Sequence, residues 1–340
     1  MKDFKILLLV SVITFITYYG IEPLAHSVMH PHMEAADFEY KDLKAVEGKG
    51  DAVNGKKLVG QNCKACHTIK AAGYTHIASK KDLEDKYGKS SDVDKNFEKL
   101  QNRYIAEMST AAVPVDLSNV STIFNDKFLK SFIKNPSNAA FESTFNLHKN
   151  KQMHLDIANA QSEEEIKEIK ATTAKDIDSF KAKTKIAMYG FDFLGEQAIN
   201  DIVAYLKSIA KPLNGKQSME AACGRCHAVE YDNVTATAPA DILKKYLGKT
   251  PPDLSMMIRS KGHDYLTKFL NDPQKVLIGS SMPRVGINEE TEEKIVAYLE
   301  HVGDAKKEER NSLGIWVILY FVIFTILAYL WKRQVWSEVK

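Results

Sequence analysis

Gln61-Asn-Cys63-Lys-Ala-Cys66-His67-Thr-Ile-Lys70 and Ala221-Ala-Cys223-Gly-Arg-Cys226-His227-Ala-Val-Glu230 decide how this chain is read. All 4 cysteines of the 340 residues fall in these two Cys-x-x-Cys-His units. The spacing is that of covalent c-type haem attachment. Two thiols add across the two vinyl groups of one haem, and the adjacent imidazole reaches the iron. A structural zinc site would pair the two Cys-x-x-Cys units and would not need a histidine directly after each. A thioredoxin-like dithiol would sit in a strand-rich βαβ context, which neither motif has. Two covalently bound haem c groups are therefore expected, with Cys63, Cys66, Cys223 and Cys226 as attachment points and His67 and His227 as proximal ligands.

Further landmarks repeat around the motifs. Val113-Pro-Val-Asp116-Leu-Ser118 parallels Thr250-Pro-Pro-Asp253-Leu-Ser255. Pro136 follows Asp116 at the same interval as Pro273 follows Asp253. Ile202-Val-Ala-Tyr-Leu206 parallels Ile295-Val-Ala-Tyr-Leu299. Phe128, Leu129, Phe132 and Ile133 share one helical face, and Tyr265, Leu266, Phe269 and Leu270 repeat it. Copy one is longer, since Cys63 to Asp116 is a much wider interval than Cys223 to Asp253. It is expected to carry insertions near 75–105 and 141–183, both rich in charge and read as exposed helices or loops.

Each copy needs a distal ligand between the Asp-Leu-Ser element and the last helix. In copy two, Met282 precedes a proline in a glycine-flanked loop upstream of Ile295. In copy one, Met188 stands upstream of Ile202 at an interval only one position longer. Met108, Met153, His148 and His154 are the alternatives there. Methionine ligation raises the potential relative to two histidines. Arg259 reads either as a fork for a haem propionate or as a surface arginine.

The two ends are apolar. Residues 6–21 are uncharged and follow Lys2 and Lys5, while 313–331 form an uncharged run that ends at Lys332 and Arg333. The second run meets the length of a membrane helix, and Trp331 and Trp336 fit an interfacial belt. The first reads as a retained anchor or as a signal-like segment. His26, His30 and His32 beyond it read as interfacial polar residues. Basic flanks on both outer ends place both termini in the cytoplasm and the roughly 290 residues between them in the periplasm of a bacterial inner membrane. With 46 basic and 44 acidic residues, the balance excludes a nucleic-acid footprint. A composition of 44% hydrophobic and 26% charged residues excludes disordered and collagen-like classes.

Thr250-Pro-Pro-Asp-Leu-Ser-Met-Met-Ile-Arg259 followed by Gly279-Ser-Ser-Met282-Pro-Arg-Val-Gly286 and an apolar C-terminal run resembles cytochrome c1 of the bc1 complex. The whole chain, from Tyr18-Tyr-Gly-Ile-Glu-Pro-Leu24 to Leu327-Ala-Tyr-Leu-Trp331, resembles the di-haem cytochrome c subunit of Campylobacter and Helicobacter bc1 complexes. Val115 departs from the Pro-Pro-Asp element, and the insertions are where the resemblance is loosest. It implies a mostly α fold: two tandem cytochrome c domains between an N-terminal and a C-terminal transmembrane helix. The layout is an N-terminal anchor or signal-like segment over 1–24, a linker over 25–50, domain 1 with its insertions over 51–211, c1-like domain 2 over 212–305, and the C-terminal helix and tail over 306–340. It also implies cytochrome b and a Rieske iron–sulfur protein as partners within a dimeric complex, and a periplasmic cytochrome c or oxidase as acceptor. The chain is then an electron-transfer subunit of a quinol–cytochrome c oxidoreductase, not catalytic alone. Domain 2, which leads into the C-terminal run, is expected to meet the Rieske protein. A di-haem subunit of a cbb3-type oxidase and a di-haem peroxidase are the competing readings. Replacement Met188→Leu is expected to remove the methionine–iron absorption band of the first haem and lower its potential. An unchanged band and potential would return the ligand to the four alternatives.

Overall fold

The computed structural model describes residues 2–29, 35–88, 91–109, 113–142, 153, 156–183, 188–277 and 280–338. His30, His32, His148 and His154 lie outside them. The fold is mostly helical, with isolated bridges and no strands among the described residues. Two compact units form, Met1–Ala36 and Asp37–Lys340.

The first unit is α1 (Lys2–Ile16), a π turn (Thr17–Ile21) and α2 (Glu22–Met29). Phe4–Ala25 is apolar and unburied over 22 residues, about 33 Å at 1.5 Å per residue, which matches a hydrocarbon core of about 30 Å. At the other end of the chain lies a second such helix, Lys307–Glu338. Its window Lys307–Ser337 is likewise long and apolar enough to cross a membrane, and none of it is buried.

The second unit repeats one design twice. In the first copy α3 (Ala52–Asn62) runs into Cys63, capped by Asp51, whose carboxylate accepts from Val53 N at 2.8 Å. Next come α4 (Lys80–Tyr87), α5 (Ser91–Lys95), α6 (Phe97–Ser109), α7 (Val120–Ile123), α8 (Asp126–Lys134), α9 (Pro136–Phe141), α10 (Glu163–Lys183) and α11 (Gly195–Ile209). The second copy has α12 (Gly215–Ala222), α13 (Ala240–Leu247), α14 (Met257–Lys261), α15 (His263–Asn271), α16 (Pro273–Val276) and α17 (Glu289–Gly303). Helix α18 is Lys307–Glu338.

The first helix of each copy packs on the last, and a glycine makes the approach possible. A Cβ on Gly55 of α3 would stand 1.9 Å from Asp201 O and 2.8 Å from Tyr205 Cβ of α11. A Cβ on Gly215 of α12 would stand 2.7 Å from Lys294 O and 2.8 Å from Tyr298 Cβ of α17. Gly55 precedes Cys63 at the same interval as Gly215 precedes Cys223, and both tyrosines belong to the repeated Ile-Val-Ala-Tyr-Leu segment. Around α3 and α11, Val59, Ile69, Leu117, Leu129, Ile133, Ile199, Ile202 and Leu206 form one core. Around α12 and α17, Met219, Cys223, Val229, Leu266, Leu270, Ile295, Val296 and Leu299 form another. Phe124 packs against both.

The constant offset between the two motifs, Cys63 to Cys223, extends further than the landmarks suggested. Ala78 and Leu83 of copy one and, at that same offset, Ala238 and Leu243 of copy two are all buried. Gly88 and Gly248 end α4 and α13 with φ of 89° and 74°. Helix α4 is therefore part of the repeat, and the first insertion begins after Gly88 rather than near 75. Nor is that insertion wholly solvated. Ala106 of α6 and Val113 pack with Ala238 and Leu243, with Cys226 against them.

A methyl at position 55 has no room, so Gly55→Ala is expected to cost about 1–3 kcal/mol through overpacking. Gly60, on the same helix with nothing within 4 Å of its Cβ position, should gain up to about 1 kcal/mol from Ala. Denaturant midpoints of the two variants check the contrast.

Candidate haem-binding site

Each Cys-x-x-Cys-His unit is a tight turn closing off a helix. Cys63 N donates to Val59 O at 3.0 Å and Cys223 N to Met219 O at 2.8 Å. The following turns match: Cys66 N and His67 N donate to Cys63 O at 3.1 and 3.0 Å, and Cys226 N and His227 N to Cys223 O at 3.0 Å each. The turns thus set two thiols and an imidazole at the mouth of each core. Cys63 is half-buried, Cys66 exposed, Cys223 buried and Cys226 half-buried, all four as free thiols. Burial pushes Cys63 up to about 11 and Cys223 up to about 12, and raises Cys226 as well. A redox dithiol would need a lowered thiol pKa instead.

The histidines are held identically. His67 Nδ1 donates to Val115 O at 2.8 Å and His227 Nδ1 to Pro252 O at 2.8 Å. A carbonyl can only accept, so the proton sits on Nδ1 and the lone pair is left on Nε2, the atom a metal would take. Burial pulls both imidazoles below their ordinary pKa, against the pull of those carbonyls. The Arg225 guanidinium adds to the fall at His67. Burial thus favours the neutral form of both rings, the form that ligation requires.

A carboxylate clamp fixes each accepting carbonyl. Asp116 accepts from Thr68 Oγ1 at 2.6 Å, Ser118 N at 2.9 Å and Lys70 N at 3.3 Å. Asp253 accepts from Ser255 N and Glu230 N, both at 2.9 Å. Leu117 N to Thr68 O and Leu254 N to Ala228 O, at 2.9 Å each, complete the match. The Asp-Leu-Ser element, noticed in the sequence only as a landmark, is thus the brace of the histidine turn.

Met282 is half-buried against the second core, its N–H donating to Ser280 Oγ at 3.2 Å. Met188 is half-buried in irregular backbone before α11. The two stand in one register. A Cβ on Gly190, two residues past Met188, would lie 2.9 Å from Lys134 O, and Phe191 N donates to Ile133 O at 3.1 Å. Arg284, two residues past Met282, donates from Nε to Asn271 O at 2.9 Å. Lys134 and Asn271 are equivalent, each two residues before the repeated proline. Of the alternatives, Met108 is 67% exposed, and Met153 is half-buried.

Arg259 is exposed on α14. Arg225, inside the second motif and not singled out from sequence, has its Nε buried without a hydrogen-bond partner, while Nη1 reaches Val113 O only at 3.5 Å. The sequence signal was its place between the two cysteines. These residues fit covalent haem: paired thiols, an imidazole held through Nδ1 with Nε2 left over, an apolar core behind it, and a half-buried guanidinium for a carboxylate.

Burial would raise the Asp116 and Asp253 carboxyls, but the hydrogen bonds win and hold both below the usual carboxylate range. The stability they contribute is present above the unfolded carboxylate value of about 4 and is lost as pH falls through the lowered folded values. Asp116→Asn with Asp253→Asn is expected to flatten the acid limb of stability below about pH 4, read from urea midpoints across that range.

Residues 286–339 match the Cytochrome C1 family. That segment begins after Met282 and holds α17 and α18 but neither Cys-x-x-Cys-His unit. No curated protein matches the chain. A chain of a solved structure described as a hyperthermophilic respiratory Complex III is 24% identical, over 37% of this chain and 75% of that one, at a TM-score of 0.30. The C-terminal part of this chain is thus similar to cytochrome c1.

Proposed function

We propose that the chain is a membrane-anchored di-haem c-type cytochrome, carrying electrons from the Rieske protein of a quinol–cytochrome c reductase to a periplasmic cytochrome c or oxidase. The observation that carries it is the pair of matching Cys-x-x-Cys-His turns, each with its histidine held through Nδ1 by a backbone carbonyl at 2.8 Å. The match of 286–339 to the Cytochrome C1 family supports the assignment to a bc1-type complex.

Bound haem supplies a one-electron iron couple. Cys63 with Cys66 and Cys223 with Cys226 would hold it through thioethers. His67 and His227 would ligate through Nε2, and Met188 and Met282 would supply the second ligands. Those methionines would raise both potentials. Arg225 would neutralise a propionate; exposed Arg259, next to Asp304, is the weaker candidate. The domains are read as 51–211 and 212–305, between anchors at either end. Lys2, Lys5, Lys332 and Arg333 support cytoplasmic termini and periplasmic haem domains. We assign domain 2 to the Rieske contact, since it leads directly into α18.

Gentle detergent extraction from native membranes, followed by mass spectrometry of what accompanies the chain, tests this. A cytochrome b and a Rieske protein are expected. Copper–haem oxidase subunits without those two would overturn the reading in favour of a cbb3-type oxidase, and an isolated chain that turns over peroxide would do so in favour of a peroxidase.

A further inference from the structure

Residues 37–50 run across the second unit as a strap with almost no regular structure. Their carbonyls are taken by side chains of copy one: Phe38 O by Asn125, Tyr40 O by Lys127, Val46 O by Lys130 and Glu47 O by Asn200. At one end the strap meets Arg284. This guanidinium is buried, with its residue 4% exposed. Its Nε donates to Asn271 O at 2.9 Å and its Nη2 to Asp37 O at 2.6 Å. It lies 4.2 Å from the centre of the Tyr40 ring, and Asp37 Oδ2 is 3.9 Å from Nη2. Asn271 Oδ1 returns a bond, accepting from Asp37 N at 2.9 Å. Tyr40 holds φ of 50°, a conformation a bulky residue keeps only when its surroundings impose it. Its hydroxyl donates to Ile287 O at 2.9 Å.

This knot lies two residues from Met282. Downstream, Asn125 N donates to Gly286 O at 2.9 Å and Asn288 N to Ile123 O at 3.0 Å. The chain after Met282 is therefore bound to copy one and to the strap by the Arg284 side chain and by the backbone at 286, 287 and 288. A buried cation is costly to desolvate, and an apolar side chain of similar volume would serve packing as well or better. What Arg284 supplies that an apolar residue cannot is direction: it joins two fixed carbonyls at a set distance. Copy one has Gly190 at the equivalent place, so the device belongs to copy two alone.

We propose that Arg284, clasped by Asp37 and Tyr40, is a positioning residue that holds the Met282 sulfur in ligating position, so that the strap entering from the N-terminal side tunes the second haem and not the first. This rests on Met282 being the distal ligand. The experiment uses the full chain in its purified complex, with three variants: Arg284→Met, Arg284→Lys and Met282→Leu. Readouts are the methionine–iron absorption band and a redox titration resolved into two components. Arg284→Met is expected to halve the band and lower one component, leaving the other and the haem content unchanged. Arg284→Lys, which keeps the charge and one donor direction, should recover part of the loss. If Met282→Leu halves the band and Arg284→Met changes neither readout, the positioning role is overturned while the ligand assignment stands. If Met282→Leu leaves the band intact, the ligand assignment itself fails. Should Arg284→Met not be recovered with haem, Tyr40→Leu decides from the strap side: a selective fall in one component supports the clasp, and two unchanged components overturn it.

Discussion

A histidine can present one nitrogen to a metal only if something fixes the other, and that requirement organises the second unit of this chain. His67 and His227 each spend Nδ1 on a backbone carbonyl at 2.8 Å. The carbonyl belongs to a segment far along the chain, Val115 or Pro252. That segment must therefore be pinned, and the aspartate that follows it does the pinning, drawing backbone N–H groups from both sides of the turn. Helix, turn, histidine and brace make one mechanical unit, built twice around the same Cys-x-x-Cys-His and Asp-Leu-Ser residues. Val115 can replace the second proline of the other copy because the histidine takes a backbone carbonyl, which either residue offers, while the valine side chain packs on the first core.

The helix crossing behind each unit obeys the same economy. Gly55 and Gly215 bring the helix that ends in the cysteines onto the helix that closes the copy. Side chains could not intervene there without parting backbone from backbone. The cysteine turn then rests on a rigid base, which matters for a site whose chemistry depends on ligand geometry more than on any acid or base. Between the copies, contact is made by different means: Phe124 and the 286–288 segment on one side, Val113, α6 and Cys226 on another. Insertion one, expected as exposed helices or loops, contributes to the second of these. Arg103 of α6 pairs with Asp241 of copy two, and Ala106 packs against Ala238 and Leu243.

Much was legible from residue order alone. The proposed attachment is legible in Cys-x-x-Cys-His spacing because it is local: one short, continuous stretch contains both thiols and the imidazole. Apolar ends long enough to cross a membrane are equally local, being a matter of composition over about 20 residues. The helical character and the repeat followed from apolar spacing and shared landmarks. The start of the first insertion was misjudged because the repeated features of α4 and α13 are single buried residues and a closing glycine, Ala78, Leu83 and Gly88 against Ala238, Leu243 and Gly248, scattered among unlike charged ones.

The residues that serve the site from a distance were not legible. Arg225 reads as an ordinary variable position inside its motif, and Arg284 as a surface arginine after a proline. Asp37 and Tyr40 lie at the opposite end of the second unit's sequence from the loop they hold, as the bond from Tyr40 to Ile287 shows. No periodicity or spacing encodes such a pairing. It arises when burial strips water from a guanidinium and leaves it only carbonyls and a ring to satisfy it. Sequence by itself pointed to the residues proposed for attachment and determined the helical repeat, because those depend on neighbours along the chain. The tertiary structure alone decided which carbonyl each histidine meets and what clasps the Met282 loop, because those depend on the few donors and acceptors that packing brings within reach.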